Sequence, residues 1–402
     1  MLYRKLWGAV FAVPLVLVAS TAVAQKAYGP GVSDTEIKLG SSAPLSGPAS
    51  GFSASGKAVA AYFQYVNDKG GINGRKVDFT LLDNAYNPPK AVEATRRLVE
   101  DIGVLAEVAT VGTVPSAAVQ KYLNGAKVPQ LFISAGGRRF NDPKNFPWTI
   151  PLFPGFETEG AIIAKYVLAT KPDAKIALLY QNDDYGKDYM KGFREKLGAK
   201  ASQIIAEQSY ELASPNIDSQ ILLLKSSGAD VLIDQSSPKF AAQAIRRMKE
   251  IGWTPLHILG GATSSVEATL KPAGLENSVG LISTYFLKQA ADPDQQSDPE
   301  VIQFRAFLEK YLPGVEPSEA AALAGYLDGQ AIELVLRKCG DNLTRENLIK
   351  QASTLKGERV PMLLPGITFG TSPDDYTPFP ILRTVRFNGQ KWVVFGDPVS
   401  AD

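Results

Sequence analysis

The sequence predicts an α/β protein made of two doubly wound parallel-sheet lobes. Two observations carry that prediction. Short apolar runs bounded by turn residues alternate with amphipathic stretches of helical length, the pattern of parallel strands joined by crossover helices. The alternation comes in two blocks, separated by an irregular stretch at 138–154 rich in Pro, Asn and aromatics, so two sheets are expected rather than one. A length of 402 residues fits two or three domains at roughly 150 residues each.

In the first block, 37–41 is a short apolar strand. Residues 58–66 form a helix with one apolar face that ends at Gly70-Gly71, and 76–82 (KVDFTLL) is a strand. Asn87-Pro88-Pro89 opens a helix running to Glu100, with the prolines in the first turn, where no N–H partner is needed. Residues 104–109 and 130–133 read as strands around a helix at 116–123. In the second block, helices at 157–168, 186–197, 217–224 and 239–251 alternate with strands at 175–180 (KIALLY), 204–210, 231–234 and 256–259. The last third breaks the alternation. A strand at 279–284 precedes helices at 299–311, 319–337 and 344–352. Antiparallel strands are then expected at 366–369, 381–387 and 391–395, with Asn388-Gly389 as a hairpin turn.

The amino terminus sets the compartment. Arg4 and Lys5 precede an apolar run from Leu6 to Ala19, and Ala22-Val23-Ala24 supplies a small-x-small cleavage site. This is the layout of a secretory signal peptide over 1–24. Its apolar core of about 14 residues is shorter than the ~20 a spanning helix needs. The rest of the chain is therefore expected to be exported and not inserted in a membrane. With 42 Lys and Arg against 41 Asp and Glu, no concentrated basic surface for nucleic acid is implied.

Most catalytic chemistry is excluded. The chain has one Cys, Cys339, and one His, His257. Together they supply neither a disulfide nor an ordinary zinc site, and they leave few options for a nucleophilic triad. No G-x-G-x-x-G follows a strand, and there is no phosphate loop or nucleophile elbow. Asp183-Asp184 precede a helix and read as caps. No enzyme activity and no cofactor are expected.

What the sequence does supply is small, hydroxyl-bearing loops after strands: 41–48 with Ser46-Gly47-Pro48, then Thr110-Val111-Gly112-Thr113, then Ser134-Ala135-Gly136-Gly137. In a parallel sheet such loops share the carboxyl edge, where ligands bind. Hydroxyls and helix N-terminal N–H groups there are donors for an anion. Phe52, Tyr86, Trp148 and Tyr185 lie near these loops and are candidates to enclose an apolar ligand body. Arg138 and Arg139 follow the third loop and are candidates to grip a carboxylate.

The segments PLSGP (44–48), DKGGINGRK (68–76), LLDNAYNPPKAVE (81–93), VPQLFISA (128–135) and NDDYGKDY (182–189) together resemble the branched-chain amino-acid-binding type of periplasmic solute receptor, which serves ABC importers. The resemblance spans nearly the whole chain after Ala24. It implies a type I periplasmic binding fold with a three-segment hinge. The first lobe would hold 25–150 and 283–358, and the second 151–282 and 359–402. It also implies a monomeric periplasmic protein that presents its ligand to a membrane permease.

Site residues carry across unevenly. The resemblance implies carboxylate binding at Thr110, Val111, Gly112 and Thr113 and at Ala135, Gly136 and Gly137. Gly137 stands where a threonine is common. Tyr185 falls on the family's second-lobe aromatic, and Phe52 follows the first loop. Two departures stand out. The stretch 260–265, with Ala262 and Thr263, lacks the acidic residue that pairs with a ligand ammonium, and Ser236-Ser237 replace an aromatic. Without a counter-charge, an ammonium would be costly to bury. The sequence therefore favours an amine-free aromatic or branched aliphatic acid. Asp234 keeps open an amino-acid ligand. A soluble sensor for a signalling receptor is the alternative of another class. The disulfide of some relatives is excluded because Tyr86 occupies one half-position.

Overall fold

The computed structural model describes residues 26–402; the signal peptide expected at 1–24 lies outside them. Strand β1 (Ala27–Tyr28) opens the described chain. The first sheet follows with β2 (Glu36–Ala43), β3 (Lys76–Asp83), β4 (Ala106–Val108), β5 (Gln130–Ile133) and β6 (Thr149–Pro151). They lie in the order β3-β2-β4-β5-β6, all parallel. Strand β6 sits inside the stretch read as irregular. It is three residues long, ends in Pro151 and occupies the sheet edge, where a residue without an N–H is tolerated.

The second sheet contains β7 (Ile176–Gln181), β8 (Ile204–Tyr210), β9 (Val231–Gln235), β10 (Leu256–Leu259) and β11 (Ile282–Tyr285). These run parallel in the order β8-β7-β9-β10-β11. Every residue of β9 is buried, as expected of a strand covered by helices on both faces. Later in the chain, β12 (Asn342–Leu343) pairs with β1, and β13 (Ile381–Phe387) and β14 (Trp392–Ser400) add antiparallel strands beyond β11. The Asn388-Gly389 turn closes their hairpin. Asn388 N–H donates to the Lys391 carbonyl at 3.1 Å, and Gly389 has φ +99°, a region that glycine enters without a steric penalty.

Local chemistry sets the helix starts. The Asn87 side chain accepts from Lys90 N–H ahead of helix Pro88–Arg96. Asp183 accepts from Tyr185 N–H ahead of Asp184–Leu197, and Asp298 caps Pro299–Tyr311. Each cap satisfies an N–H that the helix cannot pair internally.

The last third departs from the sequence reading. Residues 366–369 form no strand, only a single bridge between Glu358 and Phe369. Residues 283–285, expected with the first lobe, hydrogen-bond in the second sheet as part of β11. Residues 360–379, expected with the second lobe, instead bury Met362, Leu363, Ile367, Phe369 and Phe379 in the core cluster that contains Leu39 and Val108 of the first sheet. Apolar side chains choose the core they reach, and only β13 and β14 return to the second sheet.

Helix Ala320–Cys339 packs against helix Ser53–Asp68 with almost no space between the backbones. A Cβ on Gly325 would lie 2.1 Å from the Ser55 carbonyl oxygen, and one on Gly329 would lie 2.5 Å from Tyr62. This contact brings the start of the late helix to the edge where the first-sheet loops emerge. Gly325→Ala is expected to lower stability by about 1–3 kcal/mol through overpacking. It should appear as a reduced urea midpoint with an unchanged slope; a midpoint equal to the parent's would mean that the close approach is absent.

Candidate functional site: the cleft between the sheets

The carboxyl ends of both sheets face one cavity of about 280 Å3. From the first sheet come Val111, Gly112 and Thr113 at the start of helix Thr113–Gly125, Ser134 and Ala135 after β5, and Phe52 and Ser55 around the start of Ser53–Asp68. From the second come Gln181 and Tyr185 around Asp183, Gly261 and Ala262 after β10, and Glu159 from helix Phe156–Thr170. Phe153, Phe156, Tyr285 and Phe286 add aromatic walls, and Ala320, Leu323 and Ala324 extend the apolar lining.

The first-lobe side is a donor cradle. Thr113 Oγ1 and Ser55 Oγ are buried and have no hydrogen-bond partner among the described residues. A hydroxyl in that condition costs about 1–3 kcal/mol, and an anion at the helix N-terminus relieves the cost. Gly112, at φ +105°, lets the loop pass the Tyr86 ring, which a Cβ would approach within 2.8 Å. A Cβ on Gly137 would lie 2.8 Å from the Thr113 methyl. A threonine at 137 therefore has no room, and the Thr113 side chain fills the space beside it.

The other expected residues fall in different places. Ser46 is exposed, and its hydroxyl donates to Asp83. Thr110 lies beneath the loop and accepts from Ser116 Oγ at 3.1 Å. Gly136 stands at the crossing between lobes, its carbonyl accepting from Phe156 N–H at 2.8 Å. Trp148 is half-buried away from the cavity, beside Asn124, whose Oδ1 accepts from its N–H. Ser236 is buried behind Tyr185, whose hydroxyl donates to the Ser236 carbonyl at 3.1 Å. Thr263 turns away to donate to the Gly260 carbonyl. Asp234 is fully buried against His257, with Nε2 to Oδ2 3.0 Å, and does not line the cavity.

Arg138 and Arg139 do not reach the cavity either. Both guanidinium groups point at second-lobe acids, Arg138 toward Glu157 and Arg139 toward Asp184, each at 3.5 Å. Arg138 N–H also donates to Asp188 Oδ2 at 2.8 Å. At the opposite rim, Ser265 Oγ donates to Glu319 Oε1 at 3.2 Å, and Ser318 Oγ pairs with Glu267. Tyr86 OH approaches Asp183 at 3.4 Å between these rims. The lobes are therefore closed on the cavity, and the arginines belong to the closure.

Glu159, like Ser55 and Gln181, lines the cavity without having been a candidate in the sequence. It is 1 % exposed, and its Oε1 accepts from Gly261 N–H and from Thr284 Oγ1, each at 2.6 Å. Burial pushes its carboxyl up to about 7 against those two hydrogen bonds, which hold it down. Gly261 makes the approach feasible, since a Cβ there would meet both the Thr284 carbonyl at 2.9 Å and Glu159 Oε1 at 3.1 Å. The carboxylate absent from 260–265 thus arrives from a helix about a hundred positions earlier. The one local signal was a glutamate on the face of its helix that also carries Phe156, Ile163 and Val167.

Among the described residues no helix is long and apolar enough to cross a membrane, and no group of His, Cys, Asp and Glu has the arrangement of a metal site.

Comparison with known proteins agrees with this architecture. The model of the periplasmic binding protein family matches residues 36–377. Leu/Ile/Val-binding protein homolog 7 of Brucella suis is 26% identical over 329 residues, covering 79% of this chain and 81% of its own. A branched chain amino acid ABC transporter protein of Thermus thermophilus, solved with bound valine, superposes with TM-score 0.82 at 17% identity, over 92% of this chain and 97% of its own. A fatty acid ABC transporter substrate-binding protein of Thermomonospora curvata superposes with TM-score 0.77 at 19% identity, over 93% and 95%. With a family match over most of its length and two parallel sheets closing on one cleft, the chain belongs to the periplasmic binding protein family and has the type I fold.

Proposed function

We propose that this protein is the extracytoplasmic receptor of an ABC importer and that it captures an apolar α-amino acid between its two lobes. The carrying observation is the pair of buried, unpartnered hydroxyls, Thr113 Oγ1 and Ser55 Oγ, in the first turns of two helices that open into an aromatic-walled cavity. They suit a ligand carboxylate, and the aromatic walls suit an apolar body. The names of the Brucella suis and Thermus thermophilus relatives support the amino-acid class. The argument for an amine-free acid rested on a missing carboxylate, and Glu159 removes it. The protein would act as a monomer after cleavage following Ala24 and would deliver the closed form to a permease. Its first lobe would comprise the β1–β6 region with the late helices and 360–379. The second would comprise 156–285 with β13 and β14. A ligand touching both lobes favours the closed state, which is what a permease reads.

A thermal-shift screen of the secreted protein tests this reading. An apolar amino acid at 100 times its dissociation constant should add about 2.7 kcal/mol of stability. Absence of a shift with every apolar amino acid would overturn the ligand class. Thr113→Val should weaken binding about 10- to 100-fold, the equivalent of one charge-assisted hydrogen bond, as measured by calorimetry. The double variant Arg138→Ala, Arg139→Ala should change affinity less than about 30-fold, because these pairs lie at the solvated rim and are worth at most about 1 kcal/mol each. Its binding should also be less sensitive to salt than the parent's.

A further inference from the structure

We infer that Glu159 is the group that recognises the ligand's ammonium, its carboxylate brought into the cleft by helix Phe156–Thr170 where the strand-end loop 260–265 has none, and that seating the ammonium expels a proton from Glu159 to solvent. The inference rests on the amino-acid reading of the cleft and deepens it.

The geometry carries it. Glu159 lines the cavity, and among the described residues its carboxylate is held by Gly261 N–H and Thr284 Oγ1 with no cationic side chain against it. The lysines that also line the cavity are already engaged: Lys271 with Glu267, Lys288 with Asp298 and Glu300, and Lys391 with Asp292 and Asp294. A ligand carboxylate therefore finds no free lysine here, whereas of the two carboxyl groups that line the cavity, Asp292 is taken by Lys391 and Glu159 is left for a ligand cation. Oε1 of that group is held by Gly261 N–H and Thr284 Oγ1, which leaves Oε2 for the ligand. The titratable groups facing Glu159 are Tyr185 and Tyr189, both on helix Asp184–Leu197, with Asp234 beyond Tyr189. Burial holds both phenols neutral, so neither supplies a charge.

The sign of the proton exchange follows. Burial sets the empty carboxyl at about 7, so near neutral pH a substantial fraction carries a proton. An incoming ammonium favours the ionised form. The neutral acid gives its proton to water and the carboxylate pairs with the ammonium, so charge and protons balance. Affinity for an amine ligand is then full above about pH 7 and falls toward tenfold per pH unit below it, while affinity for an amine-free acid does not fall this way.

Calorimetry of the secreted protein at several pH values between about 5.5 and 8 tests this. The probes are leucine and phenylalanine, with isocaproate and hydrocinnamate as their deaminated counterparts. The expected result is an amino-acid affinity that falls as pH drops through 7, with proton release visible as a heat that depends on the buffer. Glu159→Gln should weaken the amino acids about 10- to 100-fold, remove the pH dependence and spare the deaminated acids. Thr284→Val, which removes one donor to Oε1, should move the pH midpoint upward and guards against misfolding of the first variant. Leucine or phenylalanine bound with a flat pH profile and undiminished in Glu159→Gln would overturn the inference and leave the amino-acid reading standing. Deaminated acids bound as tightly as the amino acids would also overturn it. No binding of any of the four probes would remove both.

Discussion

Two parallel sheets that face each other by their carboxyl edges are the constraint on which the rest of this molecule depends. In a parallel sheet every strand delivers its loop, and every following helix its positive end, to the same edge. Setting two such edges across one cleft concentrates polar donors in a space that closure shields from water. Thr113 and Ser55 on one side and Glu159 and Tyr185 on the other meet for that reason, though they come from four separate helix starts.

The cleft divides its electrostatic work by depth. The rim carries exposed charges: Arg138 and Arg139 face Glu157, Asp184 and Asp188, and solvent screens them. The interior holds few charges, and those it holds are constrained by burial. Glu159 there feels a strong desolvation that two hydrogen bonds only partly offset. A partner charge is consequently worth far more at Glu159 than at the rim, which makes the interior the place where ligand chemistry is discriminated.

Much of the framework was legible in the sequence. Alternation of apolar runs with helical stretches gave both sheets, because a strand buried on two faces has few residue types open to it. The loop at 110–113 was legible because small and hydroxyl residues after a strand have few other uses. β6 was not, since three residues ending in proline carry no periodicity. Nor was the allocation of 360–379, where the choice between two cores depends on distances across the molecule.

The sequence by itself determined the two-block α/β plan, the expectation of export read from 1–24, the lack of the usual catalytic motifs and the first-lobe donor loops. All of these are properties of neighbouring residues, which local sterics and hydrophobic periodicity enforce. Only the tertiary structure decided that Arg138 and Arg139 serve the rim and that Asp234 is spent on His257. It alone brought a carboxyl group to the cleft at Glu159. Which side chains meet across a cleft is set by the packing of distant segments, and Gly261, more than a hundred positions from Glu159, shows how far apart in the chain the two halves of one contact lie.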